Sequence, residues 1–177
     1  MPHTRLTRGD HPAPTCVWDW IAFLSAVAVL VVTVAVGRGG SAPLRWVGVA
    51  VLALAVPLIV APFLLLPRHG GVAPGAPYYD TTTVVAVGPY AVVRHPQYLG
   101  YILLVLGFAL LSQHLLTALL SAIAIGTLWV HTIREERQCE RRLGDEYQAY
   151  ARRVPRFNLL LGLVRWMRGR RTGPQPP

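Results

Sequence analysis

The chain contains no lysine. All 17 of its non-histidine basic residues are arginine, against only eight acidic residues, and charged positions make up 14% of the sequence. That is too little charge, too unevenly spread, to cover the surface of a soluble domain. The two cysteines, Cys16 and Cys139, are too few for a disulfide framework and lack metal-type spacing. The six histidines are dispersed, and neither HxxxH nor HExxH occurs, so no metal site is expected. No GxGxxG turn is present, which excludes a Rossmann nucleotide site, and no GxSxG or Walker pattern points to hydrolysis or phosphoryl transfer. Basic residues are not interleaved with aromatics, so no nucleic-acid partner is expected.

What the chain has in abundance is apolar sequence, 53% of it. The uncharged runs 20–37, 46–67 and 97–133 meet or approach the roughly 20 residues that cross a bilayer. The third is too long for one crossing, and the polar Ser112-Gln113-His114 splits it into a hairpin of two shorter helices. The fold class expected is therefore all-α and integral to the membrane. It has about four transmembrane helices, spans three and four forming a short hairpin, followed by cytoplasmic C-terminal helices. Arg5 and Arg8 precede span one, Arg68 and Arg94 flank the middle loop, and eleven arginines follow Ile133. Under the positive-inside rule this makes the protein a multi-pass protein of the cell membrane, with both termini and the middle loop cytoplasmic.

Three regions follow. Residues 1–82 hold an N-terminal arm, two transmembrane helices and a cytoplasmic loop; 83–156 hold the hairpin and the chemically informative motifs; 157–177 hold an interfacial helix and a basic, Pro-rich tail. The first apolar run begins only after Asp19 and is too long for a cleavable signal peptide. Pro57 and Pro62 predict a kink or break near the end of span two. Past Arg134 the charged segment predicts a helix with Gly144 as its break. At roughly 100° per residue, Glu136, Leu143, Tyr147 and Tyr150 share one face of it. FNLLLGLVRWMRGRR, apolar with Trp166 and arginines, predicts a helix lying in the membrane interface.

The residues that carry chemistry collect at one rim. The stretch before span three supplies Tyr90, Arg94, His95 and Tyr98; the segment after span four supplies His131, Arg134, Glu135, Glu136, Tyr147 and Tyr150. A helical hairpin brings the two groups to the same membrane surface. Arginine clamps carboxylate or phosphate, a carboxylate accepts bonds from a diol or ammonium group, and aromatic rings stack on a base or face a cation. Such a set suits a zwitterionic, nucleotide-like ligand.

The order GPYxxxRHPxYxG, an apolar hairpin, an acidic pair, LGDEYxxY and VPR resembles the isoprenylcysteine carboxyl methyltransferase and phospholipid methyltransferase families of membrane enzymes, over residues 83–156. The resemblance implies an S-adenosylmethionine-dependent methyltransferase whose cofactor is contacted by Gly88, Tyr90, His95, Pro96, Gln97, Tyr98 and Glu135. Arg94, Glu136 and Tyr147 occupy adjoining motif positions, where supporting the pocket and touching the ligand are equally expected. His131 falls where relatives can carry a substrate-contacting arginine, which assigns it and Arg134 to the acceptor. That acceptor would be hydrophobic or lipidated: an isoprenylcysteine carboxylate, a lipid amine or a thiol. No catalytic residue is assigned. Thr83–Val87 and Leu143 depart from the family pattern. The alternative is a non-catalytic membrane subunit or ligand-binding module that shares the fold.

Overall fold

A computed structural model describes residues 17–36 and 40–171. The expected N-terminal arm, 1–16, and the Pro-rich end, 172–177, lie outside the described residues. Among the described residues five α-helices follow one another: α1 (Val17–Val36), α2 (Ala42–His69), α3 (Pro96–Ser112), α4 (Leu115–Arg153) and α5 (Leu159–Arg171), with a short 3-10 turn at Gly88–Ala91 ahead of α3. Among the described residues there is no strand.

Among the described residues two helices, α2 and α4, are long and apolar enough to cross a membrane; α3 and the apolar part of α1, Phe23–Ala35, are shorter. Val34, Trp46 and Leu115 are 75%, 73% and 73% exposed, and many other large apolar side chains on α1, α2 and α4 face outward with them. So much apolar surface is costly in water and stable in lipid.

α2 packs chiefly on α3, and α1 chiefly on α4. Small residues let the α2 and α3 backbones approach: a Cβ added at Gly107 would lie 3.2 Å from the Gly48 carbonyl oxygen, and one at Gly100 would lie 3.1 Å from that of Ala55. Helices in lipid gain nothing from burying apolar surface against each other, so close backbone approach is a principal source of their attraction. Gly48 opposite Gly107 and Ala55 opposite Gly100 also make the pair antiparallel. Val29, Val105 and Ala124 bring α1, α3 and α4 together in the middle of the bundle.

The turn between α3 and α4 falls where the polar tripeptide predicted it. Gln113 takes a left-handed conformation (φ 49°), and the His114 ring nitrogen accepts the Leu116 N–H to cap α4. The Gln113 amide then ties this turn to the start of α2, accepting from Ser41 N and donating to Ser41 O, both at 2.9 Å. Of the kink or break expected in span two, no break occurs: α2 runs as one helix past Pro57, Pro62 and Pro67 to His69. Each proline costs one backbone hydrogen bond, but packing along α3 holds the helix together across the gaps. In α4 the break does occur, at Gly144 (φ 55°, ψ −133°), a conformation that glycine adopts without strain. Beyond it Tyr147 and Tyr150 are buried, as is Glu136 before it, while Leu143 is half-buried.

Since α2 and α3 are antiparallel and α3 and α4 form a hairpin, the end of α2, the start of α3 and the charged half of α4 share one rim. Replacing Gly107 with Leu should separate α2 from α3, because even a Cβ there comes within 2.6 Å of Leu52. A stability loss of about 1–3 kcal/mol is expected. Thermal unfolding in detergent measures it, with helix content unchanged below the transition.

Candidate functional site

Glu136 is the centre of this rim. It leaves the charged half of α4, past the apolar stretch that ends at Ile133, and is only 7% exposed. Its Oε1 accepts from Arg94 Nη1 at 2.9 Å, His95 Nε2 at 3.1 Å and Arg156 Nε at 3.0 Å, and its Oε2 accepts from Arg156 Nη2. An ionised carboxylate only accepts, so His95 carries its proton on Nε2. Burial opposes ionisation of Glu136, but the His95 and Arg156 hydrogen bonds and the charge of Arg94 outweigh it and hold its pKa at about 2.

The partners come from three segments. Arg94 and His95 join the 3-10 turn to α3, Glu136 belongs to α4, and Arg156 follows the end of α4. The backbone reinforces them: Arg94 N donates to Pro155 O at 2.9 Å, and the Tyr150 hydroxyl donates to Tyr90 O at 2.7 Å. Arg156 also lies over the Trp129 ring, 5.4 Å from its centroid. Phe157 packs between Trp129 and His95, and Tyr98 meets His95 edge-on at 6.0 Å.

Glu135 takes no part in this network. It is half-buried and faces Tyr78 and Tyr90, whose hydroxyls burial raises first and its charge raises further. Beside it the Gln97 amide nitrogen donates to the hydroxyls of Tyr78 and Tyr101, both at 3.0 Å. The Tyr78 ring also packs on Phe63 at 4.5 Å. Cys139 lies in the same neighbourhood, its thiol pushed up to about 12 by burial and the charge of Glu135.

Arg94 Nε and the Tyr147 hydroxyl oxygen are buried and find no hydrogen-bond partner within the described residues, as does Thr117 Oγ1 deeper in the bundle. Tyr147 feels the charges of Glu136, Arg94 and Glu135, and burial raises its pKa, so it keeps its proton and remains a donor. Such orphaned atoms are rare in folded proteins, and they commonly mark where a ligand or water completes the bonding.

The structure thus brings together Tyr90, Arg94, His95, Gln97, Tyr98, Glu135, Glu136 and Tyr147. Pro96 is buried in the first turn of α3, and Gly88 sets the 3-10 turn with a φ of 58°. His131 is half-buried one turn before Glu135, whereas Arg134 points outward and is exposed. Residue reasoning missed Arg156, although it stands in the VPR string, and missed Tyr78 and Tyr101. Tyr78 lies in a Gly- and Pro-rich loop that gives no sign of folding back. The loop does so because Arg142 holds Asp80 at 2.5 Å and Thr81 O at 2.9 Å, and Thr82 N donates to Gly70 O at 2.7 Å.

A helical membrane-type bundle with a charged, aromatic rim narrows the class of protein, and sequence comparison supplies the family. The phospholipid methyltransferase family matches residues 44–146, more than half of the chain, and the chain belongs to that family. It is 32% identical over 85 residues to the nickel-cobalt-cadmium resistance protein NccN of Alcaligenes xylosoxydans xylosoxydans. It is 34% identical over 83 residues to the cobalt-zinc-cadmium resistance protein CzcN of Cupriavidus metallidurans. These alignments cover 48% and 47% of this chain and 40% and 38% of the relatives, so the chain spans well under half the length of each. No solved structure matches it.

The two adjacent carboxylates should behave differently. Glu136→Gln leaves the half-buried Arg94 and Arg156 without their counter-ion and should cost about 3 kcal/mol, whereas Glu135→Gln should cost under about 1 kcal/mol. The folded pKa of Glu136, about 2, lies below its ordinary value of 4.5. The stability it contributes, about 3 kcal/mol, is therefore fully present above pH 4.5 and lost as pH falls toward 2. Unfolding in detergent across that range, with wild type and both variants, checks the sign.

Proposed function

We propose that the chain is an integral-membrane methyltransferase that uses S-adenosylmethionine and acts on a hydrophobic or membrane-associated acceptor. The observation that carries this reading is that one rim holds two buried donors without a hydrogen-bond partner, Arg94 Nε and the Tyr147 hydroxyl, together with the half-buried Glu135, which lies outside the Glu136 network. Two guanidinium groups face one carboxylate at Glu136, so positive charge remains in excess and suits the carboxylate of an amino-acid moiety. Glu135 suits its ammonium group or a ribose diol, and the rings of Tyr78, Tyr90 and Tyr101 offer faces to a base or to a sulfonium. These residues fit the zwitterionic cofactor. Gly88 and Pro96 shape the approach, and Gln97 fixes two of the tyrosines.

When bound, S-adenosylmethionine supplies an electrophilic methyl group for in-line displacement. The chain aligns donor and acceptor and excludes water, with Trp129, Phe157 and Tyr98 walling the inner side. A thiolate or carboxylate acceptor needs no base, and no residue is assigned that role. His131, nearer the membrane than Glu135, is the proposed contact to an acceptor entering sideways from the bilayer, with Arg134 at its outer edge. The arginine distribution supports four spans, with both termini and the pocket on the cytoplasmic side of the cell membrane.

The names of NccN and CzcN tie those proteins to metal resistance. Among the described residues no three His, Cys, Asp or Glu side chains converge on a metal. The reading for this chain rests on the phospholipid methyltransferase family match and on the residues of the rim.

Two variants test the site. Removing an unpaired buried hydroxyl relieves the apo protein, so Tyr147→Phe should leave its melting temperature unchanged or higher. Calorimetry should nonetheless show S-adenosylmethionine bound about tenfold more weakly, the loss of one hydrogen bond to a charged group. Glu135→Gln should weaken it comparably. Membranes carrying the wild type should move label from methyl-labelled S-adenosylmethionine into solvent-extractable material. Tight cofactor binding without any transfer would favour a non-catalytic subunit.

A further inference from the structure

Between α2 and the 3-10 turn the chain leaves the bundle and returns to the point where it left. Gly70 O accepts from Thr82 N at 2.7 Å and from Thr83 N at 3.3 Å, while the Thr82 and Thr83 hydroxyls donate to Gly71 O and His69 O. A Cβ added at Gly70 would lie 2.5 Å from Thr81 Cγ2, so the two legs touch. Residues 72–81 thus form a loop closed at a narrow neck, the shape of the Ω-loops that often carry function at a protein surface.

Two tethers hold this loop, one to each helix of the hairpin. On α3 the Gln97 amide donates to the Tyr78 hydroxyl, and the Tyr78 ring packs on Phe63 of α2. On α4 the Arg142 guanidinium donates to Asp80 and to Thr81 O. Arg142 follows Glu135 by seven residues, two turns along the same face of α4, and Glu135 faces Tyr78. The loop therefore runs from α3 to α4 across the corner that holds Glu135, Gln97 and Tyr101.

The α4 tether is built to part. The side chains of Arg142 and Asp80 are 36% and 35% exposed, and an ion pair in that much water is weak and screened by salt. The turn bonds Ala76 N to Ala73 O and Asp80 N to Pro77 O are internal to the loop, so they survive when it lifts.

We propose that residues 72–81 are a lid over the Glu135 corner, and that Arg142 is the positioning residue that keeps it shut by holding Asp80 and with it Tyr78. This lid deepens the methyltransferase reading and rests on it: S-adenosylmethionine bound at Glu135 is enclosed beneath Tyr78, and its release requires the Arg142–Asp80 pair to part.

Release of radiolabelled S-adenosylmethionine from the detergent-purified full chain, chased with unlabelled cofactor, tests it. Arg142→Gln should speed release about fivefold, the scale of one lost surface ion pair, and Asp80→Asn should do the same. Exchanging the two charges, Asp80→Arg with Arg142→Asp, should restore slow release in part, which a merely structural role for Arg142 does not predict. Added salt should speed release from the wild type more than from Arg142→Gln. Arg141→Gln, the same change of charge at the neighbouring exposed position, should release as the wild type does. Release from Arg142→Gln at the wild-type rate, or a charge exchange that rescues nothing, would overturn the lid. A wild type that retains no label contradicts the methyltransferase reading instead, and hydrogen exchange in the ligand-free chain then decides the latch. Faster exchange across residues 72–81 of Arg142→Gln supports it, and unchanged exchange overturns it.

Discussion

A carboxylate withdrawn from water beside a membrane is stable only if its charge is met from several sides at once, and Glu136 is met by Arg94, His95 and Arg156. Desolvation costs each ion several kcal/mol. The same cost makes the arrangement selective, because any partial version of it leaves a charge buried and unpaired. Three segments distant in sequence are thereby fixed to one another: the approach to α3, the charged half of α4 and the stretch that follows it. The bundle below supplies the register, since the close α2–α3 contact decides where Arg94 and His95 emerge.

This constraint separates two neighbouring glutamates into different kinds of residue. Glu136 is consumed by structure, since Arg94, His95 and Arg156 occupy both of its oxygens. Glu135, one position earlier on the helix, points to another face and is left among Tyr78, Tyr90 and Gln97. The same network holds Arg94 through its Nη1 on Glu136 and leaves Nε without a partner, as the buried Tyr147 hydroxyl is left. Preorganised donors of this kind bind a charged ligand without rearrangement at the moment of binding.

Much of the architecture was legible because it rests on local signals. The polar Ser112-Gln113-His114 had to interrupt an apolar run, Gly144 had to break a charged helix, and Glu136, Tyr147 and Tyr150 fell on one face by spacing alone. Signals failed where tertiary contacts decide. The prolines of α2 argued for a break that packing against α3 prevents. Arg156 lies twenty positions beyond Glu136, and nothing local connects the two. Tyr78 sits in a loop whose glycines and prolines read as irregular, and its return depends on the distant Arg142–Asp80 pair. Which of Glu135 and Glu136 is tied off was likewise invisible, since the two are adjacent and chemically identical.

The central claim is that one buried carboxylate aligns two separate segments into a single ligand site. Hydrogen–deuterium exchange on the detergent-purified protein, with and without S-adenosylmethionine, tests it most directly. The account predicts that the ligand slows exchange in residues 88–98 and 134–156 together, and that Glu136→Gln abolishes the protection in both. Protection confined to one segment, or joint protection that survives Glu136→Gln, would contradict it.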